Sequence, residues 1–184
     1  PETLTLKRLL EEYREHQKWA NRYQFGTKNF EFESTLPPSI NDDYSAMMET
    51  YYAAFAKFWK IKPPKGWTNL RVCFYRGIDE FHRTAGVGGG VQAYYKFAPD
   101  RELNFFYDRR DPAGTRATMF HEANHYLMDM VDEAFQYPHW IGEGMAEYYS
   151  ASVWDPDKKK MVMGAVQPGR LVEVRADIAA GKQL

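Results

Sequence analysis

Apolar residues recur along this 184-residue chain in two rhythms, a spacing of three to four that predicts helix and an alternation that predicts strand. The opening stretch KRLLEEYREHQKWANRYQF sets Leu6, Leu9, Leu10, Tyr13, Gln17 and Ala20 near one side with charges between them. A packed or extending N-terminal helix is expected over residues 1–28. NFEFEST then alternates Phe30, Phe32 and Ser34 against Asn29, Glu31 and Glu33, a strand pattern that Pro37 and Pro38 interrupt. Ser39 or Asn41 opens the next helix. Residues 42–60 carry Tyr44, Met47, Met48, Tyr51, Tyr52, Phe55, Phe58 and Trp59 at helical spacing, a broad apolar face assigned to the core.

After a turn at Pro63, Pro64 and Gly66, LRVCFYRG reads as a buried strand and DEFHRTAG as a short helix stopped by Gly86. VQAYYKF and ELNFFYD, joined through Pro99 and Asp100, form a hairpin. Asp111 followed by Pro112 is a helix start with an N-cap and a proline in the first turn, and this helix is expected to run to about Val131. Pro138 breaks the chain before a second helix, WIGEGMAEYYSAS, which Asp155, Pro156 and Asp157 end. The order of elements predicts one α+β domain over residues 1–184, a small mixed sheet with a hairpin edge packed on the last two helices.

Composition changes this picture only at the margins. Hydrophobic residues at 44% are enough for one core without disulfides, and Cys73 is the only cysteine, so no intrachain disulfide or thiolate cluster can form. The 24 basic and 25 acidic side chains nearly cancel, and the longest like-charge run is Lys158, Lys159 and Lys160, which argues against nucleic acid as a partner. No apolar stretch approaches the roughly eighteen residues of a membrane helix, so no membrane span is expected. A chain that starts at Pro1 rather than Met and stops inside a helical segment is expected to be an excerpt of a longer precursor, secreted if a signal peptide was removed.

The chemistry concentrates at HEANH, residues 121–125. Histidines four apart on a helix share a face about 5 to 6 Å apart, so both imidazoles can reach one ion, with Glu122 beside it as general base. With no thiolate cluster available, a third ligand must come from elsewhere, and a catalytic zinc keeps its fourth position open. Asp129, His139, Glu143 and Glu147 compete for that place. Asp129 lies two turns past His121 on the same helix, roughly 12 Å along its axis, too far for a common coordination sphere. Glu143 opens the helix that the Pro138 turn can fold back on the first, and it is the expected third ligand.

HEANH followed by WIGEGMAEYY resembles the gluzincin metallopeptidases, a similarity that covers roughly residues 29–154 and leaves 155–184 as a tail. Seventeen residues separate His125 from Glu143, slightly short of thermolysin-like members. The six-residue spacing of metzincins would put a third histidine where Val131 stands. The resemblance implies a zincin-like fold, a Zn²⁺ ion held by His121, His125 and Glu143, and Glu147 orienting a zinc histidine through its free ring nitrogen. It implies zinc-dependent hydrolysis of a peptide or protein substrate, with Glu122 moving the proton. Among Tyr137, His139, Tyr148 and Tyr149, it favours Tyr137 as oxyanion donor, with His139 beside it. Gly89, Gly90 and Val91 are expected to lie along an extended substrate. Where zinc aminopeptidases carry a glutamate, GGGVQAYY offers only Gln92, which points to an endopeptidase. The rival expectation is a binding or assembly module that keeps the zinc without hydrolysis.

Overall fold

The computed structural model describes residues 2–132, 137–155, 157–158 and 160–182, and it is an α+β fold. Among these residues, six α-helices and seven strands follow one another. A five-stranded mixed sheet has the order β1 (Tyr23–Gly26), β2 (Phe30–Ser34), β3 (Leu70–Tyr75), β5 (Glu102–Phe106), β4 (Ala93–Lys96). β2, β3 and β5 run parallel, while β1 and β4 are antiparallel to their neighbours and form the edges.

Alternation along β3 explains how both sheet faces are covered. Leu70, Val72 and Phe74 join Phe30, Phe32, Leu103 and Phe105 on one face, against α2 (Pro38–Trp59) and α4 (Pro112–Val131). Cys73 and Tyr75 point to the other face, where Phe81 of α3 (Ile78–Ala85) covers them. Burial pushes the Cys73 thiol up to about 12, so it is a small core residue rather than a nucleophile. That second face also carries a polar chain. Arg71 bridges Glu33 and Glu102 at 2.9 and 2.8 Å, Asn104 donates to Glu102 at 2.7 Å, and Tyr75 donates to Asn104 at 2.9 Å.

Several expectations need correction. The first helix, α1 (Glu2–His16), ends well before residue 28, and Tyr23–Gly26 is strand β1. A local pattern cannot reveal the cross-strand partner that wins here: β1 pairs with β2, with Phe25 stacked on Phe32 at 5.1 Å between ring centroids. Leu6, Leu9 and Leu10 stand exposed, so of the two expected arrangements the extending helix is the one observed. α2 starts with Pro38 at its first turn, so Pro37 takes the cap position rather than Ser39 or Asn41, and Phe58 faces out. α5 (His139–Ser150) stops early, because Val153–Asp155 forms strand β6, paired with β7 (Lys160–Val162). The tail then ends in α6 (Pro168–Ala179). No helix among the described residues is long and apolar enough to cross a membrane.

Candidate metal centre

Two helices carry the site. α4 begins as its sequence requires, with the Asp111 carboxylate accepting the Gly114 N–H at 2.8 Å and Pro112 in the first turn. Met119, Phe120, Ala123 and Leu127 then face the core, and Phe120 stacks on Tyr51 with 4.5 Å between ring centroids. That core face leaves His121, Glu122, His125 and Asp129 on the side that lines a hollow of about 670 Å³. α5 lies against α4 and is tied to α2 by Trp59, whose ring N–H donates to the Tyr149 hydroxyl at 3.0 Å.

The packing brings Glu143 to the two histidines. His121 Nε2 lies 3.2 Å from one Glu143 oxygen, and His125 Nε2 lies 3.6 Å from the other. One donor atom from each residue falls within 4.8 Å of the others. Donors at about 2.0–2.1 Å around a tetrahedral zinc stand about 3.3–3.4 Å from one another, close to both nitrogen–oxygen separations, so these three residues could hold the ion. His121 uses its second nitrogen in the other direction, with Nδ1 3.9 Å from Glu147.

Burial raises the Glu122 carboxyl above its ordinary range, and Glu143 adds to the effect against the opposing pull of His121 and of a backbone hydrogen bond from Tyr95. His125 is driven the other way, down, by burial first and then by the neighbouring His121. Edge strand β4 lies on the side of α4 that carries the histidines, with Ala93, Tyr94 and Tyr95 on the walls of the same hollow. The Tyr95 side chain also reaches the helix, the hydroxyl donating to Asp129 at 2.9 Å.

The other anticipated residues divide. Tyr137 and His139 line the same hollow as the histidines, His139 Nε2 being 4.0 Å from Glu143. Tyr149 is committed to the core and to Trp59, and Tyr148 packs against Gly164 of the tail, so neither faces the histidines. Gly90 and Val91 line an adjoining hollow of about 520 Å³ with His121 and Glu122, whereas Gly89 is not among its walls. The strand begins only at Ala93, and the Val91 carbonyl is held by the His82 ring at 2.9 Å. Asp129 stays outside the ligand cluster, as helix geometry required.

One contact escaped the sequence. Arg170 of α6 reaches back across α5 to Glu147 at 3.1 Å while also holding Glu173 at 3.0 Å. Only the Arg170–Glu173 spacing was visible locally. Comparison with protein-family models and with curated proteins finds no match for this chain.

Proposed function

We propose that this chain is a gluzincin-type metallopeptidase domain of zincin-like fold, an endopeptidase that holds zinc through His121, His125 and Glu143. The observation that carries the reading is the convergence of two imidazole nitrogens and one carboxylate from separate helices, at spacings of 3.2 and 3.6 Å. Two imidazoles and a carboxylate suit zinc among the divalent metals. The mixed sheet with an antiparallel edge strand beside the HEANH helix supports the same family.

When bound, zinc supplies Lewis acidity, drawing electron density from a carbonyl oxygen and making water easier to deprotonate. Glu122, beside His121 and His125 on the wall of the same hollow, takes the proton of the attacking water and later passes it to the leaving amine. Glu147, 3.9 Å from His121 Nδ1, favours one orientation of that ring through the charge it places beside the free nitrogen. Tyr137 and His139, on the walls of the hollow, are the groups available to donate to a developing oxyanion. Strand β4 is an edge with one side unpaired in the sheet, and an extended peptide can add to it through backbone hydrogen bonds.

The test is a mixed peptide library digested by the zinc-loaded chain beside its Glu122→Gln variant. Hydrolysis that stops in the variant while one zinc per chain is retained supports the enzyme. Zinc retained by both, with neither cutting any peptide, refutes it and leaves the binding module.

A further inference from the structure

A separate hollow of about 680 Å³ opens at the carboxyl ends of β3 and β5, and Arg76, Arg83, Arg109 and Arg110 all line it. Arg76 is engaged, donating to Gln17 at 3.2 Å and standing 3.8 Å from Glu80. The guanidinium groups of Arg83, Arg109 and Arg110 have no hydrogen-bonding or ion-pair partner among the described residues. Three acids, Asp79, Glu80 and Asp108, line the hollow beside the four arginines, which leaves one positive charge in excess. Glu80 accepts from the Thr35 hydroxyl and from the Arg76 backbone N–H at 3.0 Å, and Asp108 accepts from the Arg110 backbone N–H at 2.8 Å, so neither is paired with the guanidinium of Arg83, Arg109 or Arg110. Such a local surplus is notable in a chain whose net charge is −1.

This hollow is joined to the metal centre. Gln92 lines it, lines a recess of about 120 Å³ beside Asp111 and Thr118, and lines the hollow that contains His121 and Glu122. The track follows the first turns of α4. His121 lies ten positions after Asp111, about 15 Å along the helix, which an extended peptide at about 3.3 Å per residue covers in roughly four to five residues. Edge strand β4 starts at Ala93, next to Gln92, so a peptide paired with it is delivered into this track.

The geometry points to a peptide substrate with an acidic segment. Its scissile bond lies at the His121, His125 and Glu143 centre, and its Asp or Glu side chains, about four to five residues away, pair with Arg83, Arg109 and Arg110. The planar fork of arginine suits a carboxylate, and three exposed pairs together give about tenfold in binding at low salt. A nucleic acid is disfavoured because the track opens from a strand edge that recognises peptide backbone.

This substrate class rests on the hydrolase reading above, and two measurements separate their failures. In the first, zinc-loaded Glu122→Gln protein is titrated into fluorescein-labelled polyalanine peptides ending in three glutamates or three glutamines, with the labelled end varied. About tenfold tighter binding of the glutamate peptide is expected, weakened by salt and abolished by adding Arg83→Ala, Arg109→Ala and Arg110→Ala in a variant whose circular dichroism is unchanged. Equal binding of the two peptides, a preference that survives the triple change, or tighter binding of a single-stranded oligonucleotide overturns the inference. In the second, the cut positions in a digested peptide library are read by mass spectrometry. Cleavage without enrichment of acidic residues about four to five positions from the cut overturns the inference and spares the hydrolase. No cleavage with a retained glutamate preference overturns the hydrolase and leaves an acidic-peptide site.

Discussion

Glu147 offers the sharpest distinction between a residue that holds a metal and one that steadies a ligand. Its carboxylate lies 3.9 Å from His121 Nδ1, beyond hydrogen-bond length, and is shared with Arg170 at 3.1 Å. Loss of an outer partner of a metal histidine costs about 10–100-fold in metal affinity. The long separation and the competing guanidinium put Glu147→Ala near the lower limit, about tenfold or ~1.4 kcal/mol. Glu143→Ala removes one of the three donors themselves, and its loss is expected to exceed that of Glu147→Ala by a wide margin. Competition of each purified variant against a chromogenic zinc chelator measures both. An unchanged zinc affinity in Glu147→Ala refutes its orienting role, and a loss equal to that of Glu143→Ala refutes the assignment of Glu143 as the ligand.

Asp111→Ala removes the cap of the ligand helix and is expected to cost about 1 kcal/mol, lowering the melting temperature by about 2–4 °C in a calorimetric scan, with zinc stoichiometry unaltered. Phe120→Ala empties a wholly buried site one residue before His121, with an expected loss of about 3–5 kcal/mol in urea unfolding, and a loss under about 1 kcal/mol would contradict the packing. For Glu33, burial works to raise the carboxyl, but paired Arg71 and Arg22 prevail and hold it below the ordinary range. Its stabilising contribution is therefore complete above the unfolded-state pKa and is lost as pH falls through the lower folded value. Wild type should lose more stability than Glu33→Gln on acidification below about pH 4, and parallel pH curves would count against this role.

What could be read in advance was the information carried by near neighbours. HEANH needs only helix geometry to put His121 and His125 together, and Asp111 with Pro112 marks the start of that helix without reference to the rest of the chain. The hairpin of β4 and β5 announced itself through two apolar runs about a proline turn. Residues 23–26 read as helix because their burial depends on β2, and β6 and β7 left no pattern because they are three residues each, whereas the helical reading of the tail's end matches α6. The arginine-lined hollow was invisible for the same reason. Arg76 and Arg83 meet Arg109 and Arg110 only because β3 and β5 lie parallel and in register, from Arg71 opposite Glu102 to Tyr75 opposite Phe106. Arg170 reaching Glu147 across 23 positions is likewise a product of tertiary packing.

The most direct measurement is anomalous diffraction at the zinc absorption edge from crystals grown with zinc. One peak is expected, about 2.0–2.2 Å from His121 Nε2, His125 Nε2 and a Glu143 carboxylate oxygen. A peak bound by other residues, or a zinc-saturated crystal with Glu143 rotated away from the two rings and no density among them, would contradict the account.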